Sequence, residues 1–157
     1  MVLNLSKWLG LSAVVLALDL YTKQLVLKAF AYGEHVTVTS FFDLVRYHNE
    51  GAAFSFLAAA GGWQRMLFSG IALIASGIII HLLRKHATQK LFCFALALVL
   101  GGALGNLYDR VTLGYVVDFL FFHYQQYYWP AFNVADSAIS VGVVLLLIDS
   151  FKKSGKG

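Results

Sequence analysis

Four stretches of this chain are long enough and apolar enough to cross a lipid bilayer, and they constrain everything else it can do. Trp8–Leu27 carries its strongly polar residues only at Asp19, Thr22, Lys23 and Gln24, and Met66–Leu83 has no formal charge, with His81 near its end. Leu91–Tyr108 is apolar until Asn106, and Ala131–Ile148 is apolar apart from Asn133, Asp136 and a few serines. A bilayer core of about 30 Å needs roughly 20 helical residues. In lipid each stretch must be helical, because unpaired backbone groups find no water to bond. The composition agrees: 59% of residues are hydrophobic and 13% charged, against roughly 45–50% and 25% in soluble domains. The expected architecture is a single polytopic membrane domain over 1-157, an all-α bundle of four transmembrane helices at about 8-30, 64-83, 91-110 and 131-150.

Basic residues orient the bundle. With four spans, both termini and the 84–90 loop share one side, which holds Lys7, Arg84, Lys85, Lys90, Lys152, Lys153 and Lys156, seven of the twelve Lys and Arg. The positive-inside rule assigns that side to the cytoplasm. The net charge of +4 follows from this topology, so no nucleic-acid partner is read into it. Lys7 and the apolar Trp8–Leu18 run imitate a cleaved signal peptide, but Asp19 and Lys23 occupy the place of a small-x-small cleavage site. The first span is therefore expected to be an uncleaved signal-anchor helix.

The two outward loops have structure of their own. In the loop at about 33-60, His35–Ser40 alternates strictly with β-branched residues, Phe41–His48 is strand-like, and Gly51 permits a turn before a further strand-like piece, Phe54–Leu57. These predict a small extracytoplasmic β-sheet. The loop at about 112-130 crowds Phe119, Phe121, Phe122, Tyr124, Tyr127, Tyr128 and Trp129 into eleven positions. Tyr and Trp suit the headgroup layer, where ring and polar tip are both satisfied. This juxtamembrane aromatic segment reads either as a membrane anchor or as a surface that grips a lipid-bearing substrate, and the two are compatible.

Chemistry is concentrated in the polar residues of the spans. A carboxylate at mid-membrane costs about 2.5–3.5 kcal/mol on insertion scales, so each calls for a partner or a purpose. Asp19 has Lys23 one turn later, in the favourable acid-before-base order; a structural ion pair is the leading reading, with direct catalysis the alternative. Gly101 and Gly105 form a G-x-x-x-G pair that lets another helix approach. Gly102, Asn106 and Arg110 stack at intervals of four, either as a packing seam or as an amide and a guanidinium facing a site. Asn133, Asp136 and Ser140 form a stripe that must face the bundle interior. Asp118 lies just past the third span, so the carboxylates of Asp118 and Asp136 are able to meet at the outer boundary. Such a pair shares a proton and titrates jointly; one member can activate water while the other polarises a carbonyl. Spacing alone leaves aspartic-protease chemistry and a proton or ion relay both open.

Other chemistries lack their parts. Ser137 and Ser140 have no His or Lys base on their helix, and neither G-x-S-x-G nor H-E-x-x-H occurs. His35, His48, His81, His86 and His123 show no metal-ligand spacing, and Cys93 reads as a small core residue. No metal or cofactor is called for.

Five blocks in order resemble lipoprotein signal peptidase, also called signal peptidase II. They are Asp19-x-x-Thr22-Lys23; Asn49-x-Gly51-Ala52-Ala53-Phe54; Gly101-Gly102-Ala103-x-Gly105-Asn106-x-x-Asp109-Arg110; Val116-Val117-Asp118-Phe119; and Trp129-Pro130-x-Phe132-Asn133-x-Ala135-Asp136-Ser137. The resemblance spans nearly the whole chain, with no departure at the polar positions. It implies a bacterial inner-membrane aspartic endopeptidase that removes the signal peptide from prolipoproteins just before a diacylglyceryl-modified cysteine. It implies Asp118 and Asp136 as the catalytic dyad. Substrate-binding or supporting roles fall to Asp19, Lys23, Asn49, Gly51, Asn106, Arg110, Asn133 and Ala135. Membrane lipids and cyclic peptide inhibitors of the globomycin type are the further partners it implies. A proton-coupled small transporter using intramembrane aspartates is the alternative to be weighed against it.

Overall fold

The computed structural model describes residues 2–51 and 63–154, with side chains for 5–51 and 63–153. Among these described residues four helices are long and apolar enough to cross a membrane: α1 (Val2–Ala29), α2 (Trp63–Lys85), α3 (Lys90–Thr112) and α4 (Val134–Ser154). Between them lie strands β1 (His35–Thr39), β2 (Phe42–Asn49), β3 (Val116–Tyr124) and β4 (Tyr127–Tyr128). The strands form one antiparallel sheet in the order β1-β2-β3-β4.

Helix α3 is the centre of the bundle and packs against all three others. Of its apolar span 56% is buried, at least twice the share of any other helix. The outward faces of α1, α2 and α4 keep large apolar side chains such as Val14, Leu18, Met66, Ile74, Val144 and Leu147 exposed, which only lipid can cover. The close approach of neighbours to α3 depends on glycine. A Cβ at Gly101 would sit 2.6 Å from Val15 Cβ and 2.7 Å from the Ser12 carbonyl oxygen of α1. On the α4 side, a Cβ at Gly102 would collide with the Ala135 carbonyl oxygen and with Ile139. At Gly105 it would strike the Asp19 carboxylate. The G-x-x-x-G pair is thus the seam toward α1, and Gly102 beside it opens the seam toward α4, small residues removing the bulk that would keep backbones apart. Ser12 crosses the same interface, its hydroxyl donating to Ala97 O at 3.0 Å.

The first turns of α1, the last turns of α4 and the α2–α3 turn gather at one end of the bundle. Trp8 Nε1 donates to Ala87 O at 3.2 Å, and Lys153 Nζ donates to Gln89 Oε1 at 2.7 Å. The sheet occupies the other end. The first two strands fall where the alternation of the sequence puts them, joined by a two-residue turn at Ser40–Phe41. The predicted piece at Phe54–Leu57 lies outside the described residues.

Two features differ from the sequence expectation. The aromatic segment is itself a strand: β3 pairs along β2, with Tyr47 opposite Asp118 and Asn49 opposite Val116. Its near-continuous apolar run, Val-Val-Asp-Phe-Leu-Phe-Phe, has no period of two to mark it. The second difference is the start of α4, expected near 131 and found at Val134. Phe132 is still extended, pairing with Leu120 through bonds of 3.0 and 2.9 Å. Asn133 then caps the helix, its Oδ1 accepting the Asp136 N–H at 2.9 Å while the Asp136 carboxylate accepts the Asn133 N–H at 3.3 Å. This reciprocal arrangement is a capping box, and it halts the helix short of the strand.

The seam gives a direct test. Gly102→Ala should destabilise the protein by about 1–3 kcal/mol, the usual cost of overpacking, lowering its thermal midpoint in detergent. Gly77→Ala on α2, where a new Cβ meets nothing within 4 Å, should leave the midpoint unchanged or raise it.

Candidate active site

The capping box fixes one carboxylate, and the sheet delivers the other beside it. Asn133 follows directly on the Phe132–Leu120 pairing, so it enters α4 next to Asp118 on β3. Its Nδ2 donates to Asp118 Oδ1 at 2.8 Å, with longer approaches to Asn106 Oδ1 at 3.2 Å and Val117 O at 3.3 Å. From the neighbouring strand, Asn49 lies diagonally across from Asp118 on the same face, and its Nδ2 donates to Asp118 Oδ2 at 3.0 Å. From α3, Asn106 Nδ2 donates to Asp136 Oδ1 at 2.7 Å. Both carboxylates therefore have an N–H on each oxygen, supplied by three asparagine side chains and the Asn133 backbone.

The orientation of each amide is forced by what faces its oxygen. Asn106 Oδ1 receives Lys23 Nζ at 2.9 Å, and a lysine can only donate. Asn49 Oδ1 receives the Gly51 N–H at 2.9 Å, and Asn133 Oδ1 receives that of Asp136. In every case the oxygen is taken by a donor, so the NH₂ must point at an aspartate.

Lys23 lies behind this layer and is 1% exposed. The expected Asp19 pair is present at 2.7 Å, but it is one of several contacts: Lys23 Nζ also meets Asp109 Oδ2 at 3.1 Å and Asn106 Oδ1. Asp19 turns its other oxygen to the Ala135 N–H at 2.9 Å. A carboxylate there satisfies a free donor of the first turn of α4 and complements its dipole. These are the contacts of a support, made to the backbone of an Ala135 that is itself fully buried.

Asp109 belongs to this set, although sequence reasoning gave it no role. Its Oδ2 accepts the Val117 N–H at 3.1 Å, holding the first residues of β3 against α3. The signal was available: Asp109 is a carboxylate at the end of a span, and the insertion cost that singled out Asp19 and Asp136 applied to it as well. Arg110 is half-buried, with Nη1 3.4 Å from Asn106 O and its guanidinium over the Phe68 ring. Gly51 adopts φ +104°, a conformation that favours glycine.

Asp118 is 3% exposed. Burial first, and then the Asp136 charge, push its carboxyl up to about 7; the hydrogen bonds from Asn49 and Asn133 and the charge of Lys23 oppose that rise. Two carboxylates joined through shared amides, one holding its proton near neutrality, can both donate and accept a proton. Among the described residues no group of three or more His, Cys, Asp or Glu is arranged to hold a metal ion.

A family model described as Signal peptidase (SPase) II matches residues 11–152. The chain belongs to the signal peptidase II family. Its relatives include the lipoprotein signal peptidase of Ralstonia nicotianae, 59% identical over 146 residues that cover 93% of this chain and 84% of the relative. That of Paraburkholderia phytofirmans is 54% identical over 150 residues, covering 96% and 87%. A bacterial membrane enzyme solved by the in meso method at 1.9 Å is similar with a TM-score of 0.84 and 29% identity, covering 94% of each chain. Family membership makes this chain a multi-pass membrane peptidase of the aspartic type that removes signal peptides from prolipoproteins. The transport alternative gains nothing from these comparisons.

The buried lysine is the sharpest target. Lys23→Met removes the charge while keeping the bulk, and it leaves Asp19 and Asp109 buried without their cation. Breaking a buried pair in this way costs about 3–5 kcal/mol, read as a fall in the thermal midpoint in detergent. Asp109→Asn, which leaves Lys23 its Asp19 partner, should cost less.

Proposed function

We propose that Asp118 and Asp136 are the catalytic dyad, and that they hydrolyse the peptide bond just before a diacylglyceryl-modified cysteine. The observation that supports this reading is the convergence of four N–H donors from β2, α3 and the start of α4 on the four oxygens of the two carboxylates. Helix packing alone has no use for such an arrangement. Asp136 is the more exposed member of the two. The raised carboxyl of Asp118, at about 7, casts Asp118 as the acid and Asp136 as the base. Asp136 takes a proton from water, and the hydroxide formed attacks the scissile carbonyl as Asp118 donates to its oxygen. Collapse of the tetrahedral intermediate breaks the C–N bond: Asp136 passes its proton to the departing amine, and a hydroxyl of the intermediate returns a proton to Asp118 as the carbonyl re-forms. Arg110, whose Nε is buried with no acceptor among the described residues, would hold a substrate backbone carbonyl. Asn49, Asn106, Asn133, Lys23, Asp19, Gly51 and Ala135 act through position.

The location suits this substrate. A signal peptide's apolar segment already lies in the bilayer, and the modified cysteine sits at its outer boundary. A dyad at the sheet end of the bundle meets that bond without extracting the lipid. The lysine-rich end then lies in the cytoplasm with both termini, and the membrane is the bacterial inner membrane. Around a shallow cavity of about 340 Å³, Phe41, Phe122, His123, Tyr124, Tyr127, Tyr128 and Trp129 form an aromatic edge to the sheet. It suits contact with lipid headgroups and with the substrate's lipid. Cyclic peptides of the globomycin type would act by occupying the dyad.

Asp118→Asn and Asp136→Asn should each reduce cleavage of a diacylglyceryl-modified prolipopeptide by about 10²–10⁴-fold or more, with the protein still inserted; substantial activity in either variant would refute the dyad. The wild-type rate should also fall as pH rises through about 7, where Asp118 loses its proton. Asn49 favours the ionised form of Asp118, so Asn49→Ala should move that alkaline limb to higher pH. A limb that stays in place or moves downward contradicts the assignment of the proton.

A further inference from the structure

Helix α2 carries none of the five sequence blocks, yet one of its side chains lies where two arms of the site meet. Phe68 is half-buried in the second turn of α2, and the Arg110 guanidinium lies over its ring, with Cζ 5.3 Å from the centroid. The same ring bears on Gly51: a Cβ there would sit 3.0 Å from both Phe68 Cδ2 and Phe68 Cε2. Gly51 closes the turn that orients Asn49, its N–H bonding Asn49 Oδ1 at 2.9 Å, and Asn49 in turn holds Asp118 at 3.0 Å. One aromatic side chain therefore touches the cation on one side of the dyad and the turn that secures the dyad on the other.

Arg110 needs such a holder. Among the described residues its polar contact is a 3.4 Å approach to Asn106 O, and its Nε finds no acceptor there. Its charge nevertheless acts on Asp136, Asp118 and Asp109. A carboxylate partner would orient the guanidinium only by occupying its N–H donors. A ring face holds the cation through its quadrupole and leaves the N–H edge free. That suits a group that must offer donors to a substrate.

We propose that Phe68 is a positioning residue for cleavage, its face holding Arg110 toward the dyad with free N–H donors and its edge setting the Gly51 turn. The proposal rests on the dyad reading above. It assigns α2 a part in the reaction, and the part is that of an aromatic ring, which an aliphatic side chain of similar bulk cannot take.

The test compares Phe68→Leu, which keeps apolar bulk without a π face, with Phe68→Tyr, which keeps the ring. Kinetics are measured on a diacylglyceryl-modified prolipopeptide, with thermal midpoints in detergent alongside. Losing the ring should lower kcat/KM roughly 3- to 30-fold, the range expected for a partly desolvated cation–π contact, and Phe68→Tyr should restore most of it at an equal midpoint. The pH profile separates positioning from packing. Asp118 is faced by Asp136 on α4, Lys23 on α1 and Arg110 on α3; weakening the Arg110 contribution lets Asp118 keep its proton longer. The alkaline limb should therefore move to higher pH in Phe68→Leu and stay in place in Phe68→Tyr. Wild-type kinetics in Phe68→Leu, equal losses in both variants, or an unmoved limb in Phe68→Leu would each overturn the proposal. None of these results bears on the dyad, which stands or falls with Asp118→Asn and Asp136→Asn.

Discussion

The ammonium of Lys23 is the interaction on which the rest of the site depends. It has three protons and a buried position, and within the chain it meets Asp19, Asp109 and Asn106. Each of these partners holds a different piece of backbone or side chain. Asp19 holds the first turn of α4 through Ala135, Asp109 holds the start of β3 through Val117, and Asn106 holds the carboxylate of Asp136. One cation on α1 thereby ties together the helix and the strand that carry Asp136 and Asp118. It contributes no proton to the reaction proposed here.

The arrangement is costly. Buried ion pairs repay their desolvation only when geometry and further hydrogen bonds are good, and this one lies beside a span surrounded by lipid. It is possible because the glycines of α3 let its neighbours come close. At Gly105 the Asp19 carboxylate fills the space that a Cβ would take, and at Gly102 the backbone of α4 does so. Bulk on α3 would move Asp19 away from Ala135 and α4 away from Asn106. The packing seam and the polar network are two aspects of one close approach.

Much of this was legible in the sequence, for physical reasons that differ from residue to residue. The helices were visible because lipid imposes a length and forbids charge, and Asp19 with Lys23 was visible because a carboxylate in a span needs a partner at helical spacing. Strands β1 and β2 showed their alternation. Strand β3 did not, because Val116–Phe122 is apolar on both faces, and its place was settled by pairing with β2. The N-x-x-D capping box at Asn133–Asp136 was overlooked because those positions also fit a helical stripe. Asp109 was missed because its partner Lys23 had already been paired with Asp19. Phe68 had no signal of any kind: a lone aromatic in an apolar span looks like lipid-facing bulk until the fold sets it beside Arg110.

The two carboxylates do not belong to the same kind of structure. Asp118 rides on a strand of the sheet, outside the spans, whereas Asp136 sits in the first turn of a membrane helix. Their junction runs through Asn133, through the Val117 N–H held by Asp109, and through the short Leu120–Phe132 pairing. Neither element alone sets the distance between the two carboxylates; it is fixed by this junction between sheet and bundle, so their spacing is a property of how the sheet sits on the helices.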